Sequence, residues 1–173
     1  MYFEKISLEQ WLKDYDPVEW LRRYRPTECN ESCVTRKYEE IKLPKQGTKD
    51  SMGMDFFAPY DIKIYAHNDL VIPTGIRWVV VNFVYVGLLI VPRSGLGFKH
   101  GIRLANTIGV IDADYQFADN EGHIMIKLHN PSDEDVEIEQ GKAFAQGIVT
   151  PYFICDGAKS DEDRTGGFGS TTK

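Results

Sequence analysis

The chain has 173 residues, 42% of them hydrophobic, so it is long enough for one compact domain with a sizeable core. Its net charge of -6, from 26 acidic and 20 basic residues, argues against a broad surface for binding nucleic acid. No apolar run approaches the ~18 residues of a membrane span and no leader pattern opens the chain, so we expect no membrane partner and a location in the cytoplasm, or in the host cytoplasm of a viral protein.

The first 25 residues have a helical pattern. Ser7 and Gln10 match a capping box ahead of an apolar stripe that ends near Tyr15. A second, shorter helix is predicted to begin at Pro17 and to end before Pro26. These helices can dock on their own subunit or on another.

A change in pattern follows the N-terminal helices. Residues 26–35 are polar and aperiodic, which predicts a linker, and from Lys37 onward short β-type runs alternate with turn residues, as in an all-β sandwich or barrel. The chain therefore divides into a helical extension with its linker (1–35), a β domain (36–157) and a glycine-rich C-terminal arm (158–173). The predicted strands occupy residues 62–65, 76–81, 86–91, 123–128, 136–138 and 144–153.

Two acidic residues, Asp112 and Asp114, flank Ala113 in the otherwise apolar segment GVIDADY (109–115). In an extended strand both carboxylates point to the same side. Because ionised groups are costly to bury unless they are paired or used, Asp112 is the first candidate for a general base that holds a water. The alternative is that both form structural salt bridges or turn contacts. Tyr115 is either a packing residue or a ring that excludes an extra sugar hydroxyl.

The hexapeptide PRSGLG (92–97) places Arg93 and Ser94 at the end of an apolar strand. A guanidinium, a hydroxyl and the backbone N–H groups of a glycine-rich turn together suit a phosphate, although an ordinary turn has the same composition. Gln146 and Asp55 each lie in an apolar run, where a buried polar side chain needs partners. Asp55 can pair with an arginine or contact a metal-bound water.

The last residues, 158–173, have the composition of a disordered tail, but Phe168 is bracketed by glycines. A large aromatic residue there predicts an arm that orders over a ligand, with Phe168 stacked on a base and Arg164 clamping a phosphate. The alternative for Phe168 is docking into a groove on another subunit.

Taken in order, these segments resemble the five motifs of the homotrimeric dUTPases (dUTP diphosphatases), over about residues 36 to 173. Five ordered matches are far more specific than any one of them. The motifs are GMDFFA (53–58), PRSGLG (92–97), NTIGVIDADY (106–115), GKAFAQ (141–146) and RTGGFGST (164–171).

The resemblance implies a β-clip or jelly-roll-like domain, three copies of which build three active sites at subunit interfaces. Asp112 would orient a water for attack on the α-phosphorus of dUTP, giving dUMP and pyrophosphate, with Mg²⁺ on the triphosphate and Asp55 contacting that ion through water. The resemblance assigns uracil to the hairpin of Asn106 and Gly109, deoxyribose to Tyr115, the phosphates to Arg93, Ser94, Gly95 and Gln146, and the closing arm to Arg164, Phe168, Gly169, Ser170 and Thr171.

Three features depart from the family pattern. Arg164 and Phe168 are one residue closer in the chain than usual, and Lys142-Ala143 stands where many members have Asp-Arg. The segment 116–122 is about five residues longer than is usual in the family. Its composition favours a solvated hairpin turn over an acidic contribution to the site.

Two other functions fit parts of the pattern. One is a dCTP deaminase-type nucleotide enzyme on the same fold. The other is a non-catalytic nucleotide sensor or protein-binding regulator that uses the N-terminal helices as its interface. The joint presence of Asp112, Ser94 and Phe168 argues against a non-catalytic role. The combination of Asp112 and Tyr115 with the Phe168 arm is not the pattern of the deaminase branch, so it favours the hydrolase.

Overall fold

A computed structural model describes residues 1–15, 31–82, 85–157, 164, 166 and 167, with the backbone alone at Glu31. It shows an all-β, jelly-roll-like domain with a few short helices, which confirms the predicted fold class. The strands are β1 (Tyr2–Lys5), β2 (Lys45–Gln46), β3 (Met54–Phe57), β4 (Ile62–Ile64), β5 (Asp69–Pro73), β6 (Ile76–Val79), β7 (Val86–Pro92), β8 (Arg103–Leu104), β9 (Gly109–Ile111), β10 (Met125–His129), β11 (Val136–Ile138) and β12 (Ala143–Pro151). The helices are α1 (Leu8–Asp14), α2 (Glu31–Glu39), α3 (Ser94–His100) and a 3₁₀ helix (Ala113–Phe117).

Antiparallel sheets of different size enclose the core. The largest has the strand order β2-β3-β12-β7-β9, and a second has the order β5-β10-β8. In β7, Leu88 and Ile90 are buried at the two-residue spacing of a strand, and they share one apolar cluster with Ile126 and Leu128 of β10. The site described below lies where β9 ends beside this core.

The N-terminal segment begins with a strand. The prediction that the first 25 residues are helical is wrong for β1, which pairs with β6 from Tyr2 opposite Val79 to Lys5 opposite Ile76. The edge of β6 supplies backbone partners that a local helical pattern does not reveal. The first predicted helix is confirmed as α1, and the Ser7 hydroxyl accepts a hydrogen bond from the backbone N–H of Gln10.

Helix α2 begins within the predicted linker (26–35) and continues to Glu39. The strands after it therefore begin at Lys45, later than the predicted start of the β region at Lys37. The Trp11 indole of α1 donates to the Val34 carbonyl at 3.2 Å, and the Tyr38 ring lies 6.4 Å from the Trp11 ring. Val34 and Tyr38 are four residues apart, so they lie on one face of α2. Tertiary burial of this apolar pair stabilises a helix in a polar sequence. Ile6, Trp11 and Val34 belong to the same buried cluster as the β domain, so the extension docks on its own chain.

The second predicted helix, at residues 17–25, lies outside the described residues. In the part of the chain that the structure does describe, no helix has the length and apolar character needed to cross a membrane.

Candidate active site

A cleft of about 700 Å³ opens beside β9 and β10. It brings together five residues that the sequence singled out, from two of the predicted motifs. They are Asn106, Gly109, Asp112, Tyr115 and Arg164, and the remaining lining comes from Val71, Ile90, Leu104, Ala105, Val110, Ile111, Met125, Lys127 and Gly167.

Asp112 lies at the point where β9 gives way to the 3₁₀ helix, and it occupies the position before the first helical residue. Its side chain is 51% exposed, so the carboxylate is accessible from the cleft. The expected extended backbone through Asp114 is wrong, because the chain turns at Ala113. Both carboxylates nevertheless face one side, since Arg164 binds both of them.

Arg164 forms a bridge across this acidic pair. Its Nε donates to Asp114 Oδ1 at 2.7 Å, and its Nη2 pairs with Asp112 Oδ2. A guanidinium presents its donors in a fixed fork, so it can bind two carboxylates at once. Arg164 therefore reaches the cleft despite the shortened motif, although its partners here are acids. Asp114, which had no assigned role, is the second anchor of Arg164.

Tyr115 is buried in the wall of the cleft, with 6% of its surface exposed. Its hydroxyl donates to the His123 carbonyl at 2.9 Å and accepts from Asn120 Nδ2 at 2.9 Å. Burial raises the pKa of Tyr115, so the phenol stays neutral. A Cβ added to Gly167 would lie only 2.6 Å from the ring, which shows how closely the arm passes.

The inserted residues 116–122 do not form a solvated hairpin turn. Gln116 is buried and donates to the carbonyls of Ala113 and Val80 at 2.8 and 3.3 Å. The Glu121 carboxylate accepts two hydrogen bonds from Ser7, which is why this acid points to the N-terminal segment. Turn composition alone gave no signal for this contact, because the partner is more than a hundred residues away.

A second group of predicted residues gathers at the other end of β7. Arg93 Nε lies 3.2 Å from Asp55 Oδ1, and Gln146 of β12 is paired with both Asp55 and Val91 in the sheet. The prediction of an arginine partner for Asp55 is confirmed. Ser94 begins α3, so this segment is helical where a turn was expected. Gly95 follows, with open space beside its Cα.

The two groups are well separated within one chain. Leu88 of β7 pairs with Ile111, the residue before Asp112, whereas Arg93 follows the far end of the same strand. The five steps along the chain from Leu88 to Arg93 span about 16 Å at the usual rise of a strand. A single chain therefore keeps Asp112 and the PRSGLG segment apart. Phe168, Gly169, Ser170 and Thr171 lie outside the described residues.

The sequence did not single out three polar residues that shape the site. Asn120 binds the Tyr115 hydroxyl, His123 is fully buried behind it, and Asp14 of α1 binds the His123 ring. Burial alone would raise the pKa of Asp14, but hydrogen bonds from His123 and Gln10 bring the pKa below its usual value. The sequence does offer one signal for His123, because this polar residue lies directly before the apolar run that leads into β10.

The chain is similar to known proteins over most of its length. The dUTPase family model matches residues 39–172. The deoxyuridine 5'-triphosphate nucleotidohydrolase of Lactococcus lactis is 39% identical over 152 residues, covering 80% of this chain and 94% of that protein. The crystal structure of dUTPase from Streptococcus mutans superposes with a TM-score of 0.66 at 30% identity, covering 91% of this chain and all of that one.

A more distant structure shares the fold. It is a mutant dUTPase from phage phi11 of S. aureus, solved to show the coordination of a structural Mg(II) ion. It is 19% identical, with a TM-score of 0.58, and covers 72% of this chain and 92% of that one. The family match and the Lactococcus relative show that this chain belongs to the dUTPase family.

Proposed function

We propose that this protein hydrolyses dUTP to dUMP and pyrophosphate. The observation that carries the proposal is the accessible Asp112 carboxylate in the same cleft as Tyr115 and the turn from Asn106 to Gly109. Family membership and the names of the relatives support the same reaction over deamination of dCTP. We expect the enzyme to act in the cytoplasm.

Asp112 is the proposed general base. Its exposed carboxylate would accept a hydrogen bond from a water and then take its proton as that water attacks the α-phosphorus. The bond from the α-phosphorus to the bridging oxygen breaks, and pyrophosphate leaves with the electron pair. Positioning and electrostatic stabilisation supply most of the rate in such transfers. Arg164 would have to release Asp112 before the carboxylate can act.

The base and sugar would lie along the cleft wall. The turn before β9 is tight, with Ile108 N donating to the Asn106 carbonyl at 2.7 Å and Thr107 in the left-handed region at φ 68°. Such a turn presents backbone groups that can read a uracil edge, which supports the role proposed for Asn106 and Gly109. The Tyr115 ring would support deoxyribose and leave no room for a ribose hydroxyl.

The phosphate chain would complete its site with another subunit. We propose a homotrimer in which Arg93, Ser94, Gly95 and Gln146 of one chain face Asp112 of a second. The separation of these groups along β7 supports that arrangement, because the backbones of Arg93 and Asp112 in one chain lie near opposite ends of this strand. The closing arm, with Arg164, Phe168, Gly169, Ser170 and Thr171, would cover the base and the γ-phosphate.

Magnesium fits this site as an ion carried by the substrate. Among the described residues no three acidic, histidine or cysteine side chains cluster in a way that could hold a metal. Mg²⁺ often binds through substrate phosphates and water with few protein ligands. Asp55, beside the phosphate-binding Arg93, is the carboxylate proposed to contact that ion through water. The ion would neutralise charge on the phosphates.

Pyrophosphate release from dUTP, UTP, dCTP and dTTP, with and without magnesium, tests the proposed function. We expect magnesium-dependent turnover of dUTP and little from the other three nucleotides. Equal turnover of dCTP and dUTP, or none of dUTP, would contradict the proposal.

A further inference from the structure

The hydroxyl of Tyr115 is fixed by the loop that follows it in the chain. It donates to the carbonyl of His123 and accepts from the side chain of Asn120, each at 2.9 Å. The Asn120 side chain also accepts from the backbone N–H of Gly122 at 3.2 Å. The position of the ring therefore depends on the conformation of residues 116–123, which we call the Tyr115 loop.

The Tyr115 loop contains a strained residue and a close backbone approach. Glu121 is in the left-handed region at φ 59°, and Gly122 follows at φ 72°. A Cβ at Gly122 would lie 2.7 Å from Gln116 Cα and 2.8 Å from the Tyr115 carbonyl oxygen. The backbone N–H of His123 donates to the Asn120 carbonyl at 3.0 Å and closes a turn in which Gly122 tolerates a positive φ. Glu121 is the non-glycine residue of this pair, and its left-handed conformation persists where the surrounding structure over-determines it.

The surrounding structure is the N-terminal segment. Ser7 donates to the Glu121 carboxylate twice, from its backbone N–H at 2.8 Å and from its hydroxyl at 2.6 Å. Asp14, at the end of α1, accepts from His123 Nδ1 at 2.6 Å. Both ends of α1 thus contact the Tyr115 loop.

The hydrogen bonds of His123 define which of its ring nitrogens carries the proton. Gly75 donates its backbone N–H to His123 Nε2 at 2.8 Å, so Nε2 is the acceptor and Nδ1 carries the proton. That proton faces Asp14, and the ring is fully buried. Losing the Asp14 acceptor would leave a buried donor unsatisfied, in the same residue whose carbonyl binds Tyr115.

We propose that the N-terminal segment is a positioning element of the sugar site, in which Ser7 and Asp14 hold the Tyr115 loop through Glu121 and His123. The inference rests on the proposed role of Tyr115 in excluding ribose. None of these four residues touches the substrate in this scheme. They act on sugar selection by fixing the ring that does.

The test compares kcat/KM for dUTP and UTP in Asp14→Ala and Glu121→Ala. The ratio of the two values does not depend on the fraction of folded enzyme, so a loss of stability alone leaves it unchanged. We expect the dUTP preference to fall by about tenfold in each variant, since a displaced ring removes part of the steric discrimination. Asp14→Asn keeps an acceptor for His123 and should restore most of the preference.

Lys5→Met is the matched control. Lys5 also secures the N-terminal segment, but it does so by donating to the carbonyls of Tyr38 and Glu39 in α2, each at 2.9 Å. These bonds join the segment to α2 and leave its bonds to the Tyr115 loop intact. We expect a lower melting temperature and an unchanged ratio.

Tyr115→Ala distinguishes a failure of the positioning role from a failure of the sugar role proposed for Tyr115. If that variant loses the dUTP preference while Asp14→Ala and Glu121→Ala keep it, the positioning role is wrong. If Tyr115→Ala itself keeps the preference, the proposed sugar role of Tyr115 fails, and the inference fails with it. If Asp14→Ala does not fold, the dUTP to UTP ratio of Glu121→Ala decides the test. Glu121 is only partly buried, so its replacement is expected to leave the chain folded.

Discussion

Arg164 of the C-terminal arm binds Asp112, the carboxylate proposed as the general base, and holds Asp114 at 2.7 Å with the same guanidinium. The arm therefore reaches the cleft of its own chain. The guanidinium occupies an oxygen of the Asp112 carboxylate that a water would need as acceptor, so in the proposed mechanism Arg164 moves toward the phosphates before Asp112 acts. In this scheme Asp112 is the base, and Asp114 is an anchor for Arg164.

Asp112→Asn should lower kcat for dUTP by about 100-fold or more, because the amide cannot accept the proton of the attacking water. The dissociation constant for a non-hydrolysable dUTP analogue should change little, since the side chain keeps its size. Asp114→Asn is the control and should retain kcat within about threefold. Near-normal turnover by Asp112→Asn would remove the base assignment.

Sites shared between subunits predict complementation between two inactive variants. Asp112→Asn and Arg93→Ala should each be nearly inactive alone. Co-expressed in equal amounts, they should recover about one quarter of the wild-type sites, because random assembly joins an intact Asp112 to an intact Arg93 at that frequency. Pyrophosphate release by the purified mixture checks this. No recovery in confirmed mixed oligomers would place both residues in a site of one chain.

Gly122→Ala should lower the free energy of unfolding by about 2–4 kcal/mol, because it combines backbone strain with a steric clash. The added Cβ would lie 2.7 Å from Gln116 Cα. Gly157→Ala is a matched control, since Gly157 has φ 77° but open space around its Cα. Urea unfolding of both variants measures the difference. Equal effects would show that the close approach at Gly122 is readily relieved.

Asp14→Ala should cost about 1–3 kcal/mol of stability at neutral pH, because it leaves the buried His123 donor without a partner. The pKa of Asp14 in the folded chain lies below its usual value of 3.8, through hydrogen bonds that outweigh the opposing effect of burial. Its ionised form therefore stabilises the fold above pH 3.8, and that contribution is lost as pH falls through the lowered pKa.

The pH dependence can be measured against Asp14→Asn, which keeps the acceptor but not the charge. The free energy of unfolding of the wild type should exceed that of the variant near neutrality, and the two should converge in acid. A difference that stays constant far into acid would contradict the lowered pKa of Asp14.

Local patterns in the amino-acid sequence predicted much of the β domain. Alternating apolar residues located β7 and β12, the Ser7 cap located α1, and five ordered motifs indicated the family. These features depend on neighbours within a few residues, which a linear pattern records directly.

The same patterns did not predict β1, the helix in the supposed linker, or the packed state of residues 116–122. Each depends on a partner far away in the chain. Ser7 and Glu121 are 114 residues apart, and Asp14 and His123 are 109 apart. A turn-like composition looks the same whether the turn is solvated or held by a distant segment, because only the folded chain brings the distant hydrogen-bonding partner to the turn. Tyr115 was visible in the sequence as a candidate, whereas the contacts that fix its hydroxyl arise from tertiary packing.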